Sequence, residues 1–233
     1  MRLDGYLCQC TDLSRKDARR AISAGRVRVN GKAVRKASAS LPAAAEVTLD
    51  STPVSPPGEL YLMLHKPPGV LSATTDAAQP VVTDLLPEDI GRRVHPAGRL
   101  DLDTTGLLLL TSDGQWSHRI TSPRHRCPKT YRVTLAEPLR GDAAGVLESG
   151  VMLAGESTPT RPATVTQLDS RVIDLTISEG RYHQVKRMLA AVGNHVTALH
   201  RHRIGSVVLD PALAPGEFRH LTGDEIRQLA KTD

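Results

Sequence analysis

Residues 95–110 read HPAGRLDLDTTGLLLL, and this stretch organises the rest of the chain. It sets Asp101 and Asp103 between a Gly-Arg turn and an apolar run from Leu107 to Leu110. A short apolar run bounded by turn residues predicts a strand that is buried on both faces. Both carboxylates then lie on a loop fixed by a rigid strand, where binding and catalytic groups are common. Aspartates in such a loop also stabilise turns, because they bond nearby backbone amides.

The composition bounds the class of protein. The chain has 233 residues with 39% hydrophobic and 3% aromatic residues, so the core must be aliphatic and there is room for two domains. No apolar run reaches the ~18 residues of a membrane span, and the first residues lack the apolar segment of a signal peptide. Cys8, Cys10 and Cys127 form an odd set without zinc spacing, which predicts free thiols, no metal and a cytoplasmic location.

The positive charge is unevenly distributed. The net charge is +5, yet residues 1–37 hold ten Lys and Arg against three acids. Residues 119–132 and 181–203 contain five Lys and Arg each and no acid. Clustered cations of this kind favour a polyphosphate partner, because each neutralised phosphate releases counterions. A solvated basic surface is the alternative interpretation.

The first 50 residues carry the pattern of a compact basic module. Apolar residues at helical spacing predict a helix over residues 2–10. Ser14 and Asp17 then fit a capping box, which opens a second helix. The pair Asn30-Gly31 lies between alternating apolar residues and predicts a tight hairpin, because both turn positions require a positive φ.

This module resembles the S4 RNA-binding domain, whose pattern joins S-R-x-x-A-x-x-x-I-x-x-G to a following V-x-V-N-G. The resemblance covers residues 1–50 and implies that the second helix faces RNA with Arg15, Arg19 and Arg20. Residues 51–59 hold three prolines. They predict a semi-rigid linker without helix or strand, because proline fixes φ and lacks an N–H.

Residues 60–233 predict a larger domain of the α+β class. Alternating strands favour a largely antiparallel mixed sheet with flanking helices. A helix after Gly180 buries residues at i, i+4 and i+7, which leaves Lys186 and Arg187 off the buried stripe. The main predicted strands span residues 60–64, 131–135, 163–168, 172–177 and 196–204; further helices span 115–120, 141–150 and the region after 222.

Four stretches of this domain resemble the motifs of RNA pseudouridine synthases. They read LHKPPG at 64–69, GRLDLDTTGL at 98–107, KTY at 129–131 and EGRYHQVKRM at 179–188. The resemblance covers the whole chain, S4 module included, and favours the ribosomal small subunit pseudouridine synthase A family. It implies an S4 domain joined to a pseudouridine synthase catalytic domain at 60–233.

The resemblance also implies three catalytic residues. Asp101 matches the family nucleophile, since a carboxylate can hold the sugar or the base while the N1–C1′ bond is exchanged for a C5–C1′ bond. Tyr131 matches the tyrosine that stacks on the flipped base and can remove the C5 proton. Lys186 matches the basic partner that keeps the aspartate ionised. Asp103 matches no motif position, so we expect it to stabilise the turn.

A second group of residues is expected to bind substrate. Arg99, Arg181 and Arg187 would hold phosphates or orient the loop, and Leu199 would pack under the base. The isomerisation changes no redox state and needs no energy source, so no cofactor is implied. The implied partner is 16S ribosomal RNA in a small-subunit assembly intermediate, with uridine 516 as the target. That uridine must be flipped out of folded RNA, and the protein is expected to act as a monomer away from membranes.

Three alternatives remain open from the sequence. The chain could act on the large-subunit 23S ribosomal RNA instead. It could be a non-catalytic RNA-binding or ribosome-assembly protein whose S4 module does the main work. It could also be an unrelated hydrolase that uses Asp101 and Asp103 as an acid–base pair.

Overall fold

A computed structural model describes residues 1–42, 45–55 and 58–231 of the chain. The chain divides into two compact units, Met1–Gly58 and Glu59–Asp233. Residues 56 and 57 of the predicted linker lie outside the described residues.

The first unit packs two helices and a small antiparallel sheet around an apolar core. The helices are α1 (Leu3–Cys10) and α2 (Arg15–Ser23), and the strands are β1 (Val27–Val29), β2 (Lys32–Ala33), β3 (Val47–Leu49) and β4 (Thr52–Val54). The sheet has the order β2-β1-β3-β4, and core residues such as Leu3, Ile22 and Val27 are fully buried.

Local sequence signals account for the turns of this unit. The hydroxyl of Ser14 accepts a hydrogen bond from the backbone N–H of Asp17, which is the N-cap half of the predicted capping box. The Asp17 carboxylate accepts from the Ser14 hydroxyl. Asn30 and Gly31 have φ values of +48° and +76°, so the predicted hairpin is confirmed.

The linker prediction is wrong for residues 52–54. This segment forms β4 and pairs with β3, and Pro53 lies opposite Thr48. The physical reason is position: β4 is the edge strand of its sheet, where a residue without an N–H breaks no inner ladder. Proline content alone did not distinguish an edge strand from a linker.

The second unit is built on a mixed sheet. Its strands are β5 (Tyr61–Lys66), β6 (His95–Pro96), β7 (Thr105–Thr111), β8 (Lys129–Leu135), β9 (Thr164–Asp169), β10 (Val172–Ile177), β11 (Val196–Ile204), β12 (Val207–Val208) and β13 (Phe218–His220). The main strand order is β13-β5-β7-β11-β8-β10-β9. Among the described strands, only β7 and β11 pair in parallel, so the predicted largely antiparallel sheet is confirmed.

Helices cover the sheet of the second unit. They are α3 (Glu88–Gly91), α4 (Gly114–Thr121), α5 (Ala143–Ser149), α6 (Gln184–Ala191) and α7 (Gly223–Ala230), and a short 3₁₀ helix spans Val82–Leu85. None of the described helices combines the length and the apolar character that crossing a bilayer would require. Strand β13 was not predicted, because three residues between turn segments carry too little pattern.

The central strand β7 is buried on both faces, as predicted. Leu107 to Leu110 have no exposed surface. Leu108 and Leu110 belong to the apolar cluster that contains Val133, whereas Leu107 and Leu109 pack with Trp116 on the other face. The loop that carries Asp101 runs directly into this strand, so its end is anchored in the core.

The parallel contact between β7 and β11 requires a glycine. Gly106 has a φ of +105°, and a Cβ atom placed on it would lie 2.2 Å from the carbonyl oxygen of Arg201. The two backbones therefore approach more closely at this point than any other residue would allow.

Candidate active site

A cavity of about 570 Å³ opens in the second unit, within the range of small-molecule sites. Its walls come from the loop before β7, from β8 and β11, and from the turn that opens α6. The predicted residues Asp101, Arg99, Tyr131, Arg181 and Leu199 all line it, together with Arg201, His183 and Tyr182. The fold thus brings together residues that are about 100 positions apart in the sequence, such as Arg99 and Arg201.

Asp101 lies in the cavity wall with its side chain 27% exposed. Its backbone carbonyl accepts a hydrogen bond from Thr104, which closes the turn and orients the side chain. The Lys186 ammonium lies 3.7 Å from Oδ2 of Asp101, and Nε2 of His183 lies 3.5 Å from Oδ1. The predicted pairing of Asp101 with Lys186 is therefore present as an ion pair at 3.7 Å, without a direct hydrogen bond.

Lys186 makes its hydrogen bonds to a different carboxylate. Its ammonium donates to both oxygens of Asp103, at 2.6 and 2.8 Å. The hydrogen bond from Lys186 lowers the pKa of the Asp103 carboxyl below its usual value. We expected Asp103 to stabilise the turn, but its carboxylate instead fixes the ammonium group beside Asp101.

Tyr131 and Leu199 form an apolar part of the cavity wall. Tyr131 lies on β8 and is 8% exposed, and Leu199 lies on the neighbouring strand β11 and is 7% exposed. Both also belong to the main apolar cluster of the unit. A flat ring and a branched aliphatic side chain in one cavity are suited to holding a planar base.

Two arginines, Arg181 and Arg187, connect the turn before α6 to a neighbouring segment of the chain. Arg181 donates to the carbonyl oxygens of Thr158 and Pro159 at 2.8 and 2.6 Å and lies 3.4 Å from Glu179. Arg187 is likewise occupied by protein groups and does not line the cavity. Its partners are Glu156, the Ala154 carbonyl at 2.7 Å and the Tyr182 carbonyl at 3.1 Å. Its donors therefore already have protein partners, and the expected substrate-binding role of Arg187 stays a prediction.

The turn that these arginines hold presents Tyr182 and His183 to the cavity mouth. Tyr182 is 77% exposed, and its ring stacks on that of His183 with centroids 3.8 Å apart. His183 adopts a left-handed conformation with a φ of +47° at the start of α6. This backbone conformation turns the imidazole toward Asp101, a placement that sequence spacing does not predict.

The first unit presents a separate basic surface. Arg15, Lys16, Arg19 and Arg20 line a shallow groove along α2. Arg19 also lies 3.2 Å from the buried carboxylate of Asp4. Hydrogen bonds from Arg2 and Arg19 lower the pKa of Asp4 to about 2, so Arg19 has a structural function as well.

Comparison with known proteins identifies the two domains of the chain. The family model described as RNA pseudouridylate synthase matches residues 60–191, and the S4 domain model matches residues 1–47. The chain belongs to the RNA pseudouridylate synthase family. It is thus a pseudouridine synthase with an N-terminal S4 domain.

Similar proteins match this synthase over nearly its whole length. Ribosomal small subunit pseudouridine synthase A of Escherichia coli K12 is 51% identical over 97% of this chain and 98% of its own length. The Haemophilus influenzae protein of the same name is 46% identical over 99% of this chain and all of its own. A crystal structure of a pseudouridylate synthase superposes with a TM-score of 0.73 at 45% identity, covering 98% of this chain and 99% of its own.

Lys66 is a residue of the synthase for which we predicted no function. Its side chain is fully buried, and its ammonium donates to the carbonyl oxygens of Pro67, Leu102 and Thr104 at 3.0, 3.2 and 3.0 Å. The carbonyl groups of Leu102 and Thr104 lie on either side of Asp103 in the chain. Lys66 therefore anchors the backbone of the loop that carries Asp101. The LHKPPG stretch was the signal that could have indicated this residue.

Lys66 also gives the synthase a testable pH dependence. Burial lowers the pKa of the Lys66 ammonium from 10.5 to about 8. The unfolded chain therefore binds more protons than the folded chain between these values, so the free energy of unfolding rises with pH across this window. We expect the free energy of unfolding of the native protein, relative to that of Lys66→Met, to rise by on the order of 2–3 kcal/mol between pH 7.5 and 10.

Urea unfolding at several pH values, followed for both proteins, measures this difference. The exposed Lys231 of the same unit is the matched control, and Lys231→Met should show no such rise against the native protein. If the difference in free energy of unfolding between the native protein and Lys66→Met does not change from pH 7.5 to 10, the prediction is contradicted.

Proposed function

We propose that this synthase converts one uridine of 16S ribosomal RNA, uridine 516, to pseudouridine in a small-subunit assembly intermediate. The names of its relatives support the small-subunit substrate. The observation that carries the proposal is the cavity in which Asp101, Tyr131 and Leu199 meet, with the Lys186 ammonium 3.7 Å from Asp101. The synthase acts as a monomer in the cytoplasm.

The predicted site residues have distinct roles in this proposal. The target nucleotide is flipped out of the folded RNA into the cavity. Asp101 acts as the nucleophile that holds the nucleotide while the N1–C1′ bond breaks and the C5–C1′ bond forms. Tyr131 stacks on the free base and Leu199 packs beside it, while Lys186 keeps Asp101 ionised. Arg99 lies at the wall of the cavity, where the phosphates next to the flipped nucleotide pass. Arg181, whose donors already bind protein groups, orients the turn before α6.

The decisive experiment incubates the purified protein with 16S and 23S ribosomal RNA transcripts and with small-subunit assembly intermediates, and maps pseudouridine in each. Formation at uridine 516 of 16S RNA alone supports the proposal. Pseudouridine only in 23S RNA would favour the large-subunit alternative. No pseudouridine in any substrate, with RNA binding intact, would favour a purely binding protein.

The basic groove of the S4 domain gives a second prediction. We expect the triple variant Arg15→Gln, Lys16→Gln, Arg20→Gln to bind 16S RNA more weakly, because it loses cations that neutralise phosphates. The slope of log K against log salt should fall by roughly 0.7–0.9 for each phosphate contact that is lost. Arg19 is left in place because it also holds Asp4.

Filter binding between 50 and 300 mM salt measures the slope. Arg227→Gln is the control, because it removes an exposed cation that is paired with Asp224 in the other unit. A triple variant with the same slope as the native protein would exclude this groove from RNA binding.

A further inference from the structure

Arg201 is a buried cation without a counter-ion. Its side chain lines the cavity but is 2% exposed, and no carboxylate among the described residues pairs with it. Nε donates to the carbonyl oxygen of Leu107 at 2.9 Å, and Nη1 lies 3.4 Å from the carbonyl oxygen of Arg99. Nη2 is buried and has no hydrogen-bond partner in the described part of the chain.

Such an arrangement is costly for a folded protein. A buried charge is tolerated when hydrogen bonds and an opposite charge replace the water it has lost. Two carbonyl oxygens replace only part of that water. A second cation, Lys129, lies on β8, and burial lowers the pKa of its ammonium group, with a smaller contribution from repulsion by Arg201. Arg201 and Lys129 therefore place two basic side chains in the wall of the same cavity.

The hydroxyl of Tyr131 is the side-chain group that the Arg201 guanidinium contacts in this cavity. Nη1 of Arg201 donates to it at 3.3 Å, and this is the only hydrogen bond that the described residues offer to the Tyr131 hydroxyl. The guanidinium carbon lies 5.8 Å from the centre of the ring. The two residues are cross-strand neighbours on β8 and β11, so the sheet fixes their separation.

We propose that Arg201 is a positioning residue that aims the Tyr131 ring at the flipped base and stabilises its phenolate during C5 deprotonation. The inference rests on the proposed function and adds to it a specific electrostatic partner for Tyr131. Arg201 itself transfers no proton. A fixed cation beside a developing or existing anion favours that anion most strongly in a cavity from which water is excluded.

The step is balanced without a co-reactant. After C5 has bonded to C1′, C5 carries both the new bond and its original hydrogen. The Tyr131 phenolate takes that proton, the electron pair of the C5–H bond forms the C5=C6 double bond, and the C6=N1 electrons move to N1. N1 takes a proton from water, and the Tyr131 phenol returns its proton to water.

The experiment compares the native protein with Arg201→Met, which removes the charge, and Arg201→Lys, which keeps it. The substrates are 16S RNA transcripts made with uridine or with uridine that carries deuterium at C5. We expect Arg201→Met to lower kcat by about 100-fold, as loss of one preorganised electrostatic group does, with KM changed by less than about threefold. The deuterium isotope effect on kcat should rise above the native value, because C5 deprotonation becomes rate-limiting.

Two further variants separate this role from a merely structural one. Arg201→Lys should recover part of kcat and return the isotope effect toward the native value. Arg203→Gln removes an exposed cation from the same strand and should leave the isotope effect unchanged. The isotope effect is a ratio measured only on active molecules, so partial unfolding of a variant lowers kcat without altering it.

The outcomes are distinct. A fall in kcat with an unchanged isotope effect would overturn the inference and leave Arg201 as an anchor for Leu107 and Arg99. An Arg201→Met variant with native kcat would overturn it as well. A native protein that forms no pseudouridine would overturn the proposed function, and this inference with it.

Discussion

Asp101→Asn is expected to reduce pseudouridine formation by at least about 10,000-fold, the order of loss seen when a catalytic nucleophile is removed. An amide has the same shape as a carboxylate but cannot attack the nucleotide. RNA affinity should stay within about threefold of the native value, because the phosphate contacts that dominate affinity remain. Single-turnover assays with excess enzyme, together with filter binding, measure both quantities.

Asp103→Asn is the matched control for this prediction. Its carboxylate is 71% exposed and holds Lys186 through two hydrogen bonds. Exposed ion pairs are worth up to about 1 kcal/mol, so we expect a loss of about fivefold or less. Equal losses for both variants would instead favour an acid–base pair, and full activity in Asp101→Asn would leave Asp101 without a chemical role.

Gly106→Ala is expected to destabilise the second unit by at least about 3 kcal/mol. The added Cβ would lie 2.2 Å from the carbonyl oxygen of Arg201, and φ at this position is +105°. The obstacle is backbone in the middle of a sheet, so it cannot rotate away as a flexible side chain could. Thermal unfolding should show a Tm lower by roughly 6–12 °C for a unit of this size.

Gly145→Ala is the opposite control. Gly145 lies within α5, and a Cβ there would meet nothing within 4 Å. The same substitution should therefore raise stability by up to about 1 kcal/mol, because alanine loses less backbone freedom in a helix. A Gly106→Ala protein that melts within a degree of the native protein would contradict the close backbone approach between β7 and β11.

Local sequence patterns predicted the elements whose conformation depends mainly on neighbouring residues in the chain. The apolar run at Leu107 to Leu110 and the Asn30-Gly31 turn both matched the structure. The edge strand that contains Pro53 was not predicted, because whether a strand lies at a sheet edge depends on partners that are distant in sequence. Patterns of a few residues predict secondary structure well when the tertiary context agrees with them.

The sequence predicted only those cavity residues that belong to a recognisable motif. Asp101, Tyr131 and Leu199 were placed in one cavity as expected. Arg201 was missed because it stands among alternating His and Arg on β11, a pattern typical of an exposed strand. Its burial follows from the close approach of Gly106, which joins two strands that are about 100 residues apart in sequence. Contacts of that range cannot be derived from spacing.

Two arginines at the start of α6 change how the charge of this protein should be counted. Arg181 and Arg187 lie in a stretch of sequence without acids, yet each is neutralised in space by Glu156 or Glu179. A cation that already has a carboxylate partner contributes little to the field that a polyanion meets from solution. A tally of basic residues along the chain therefore overstates its long-range attraction for RNA. Association with ribosomal RNA should depend on the fewer cations whose charge is left uncompensated at the surface.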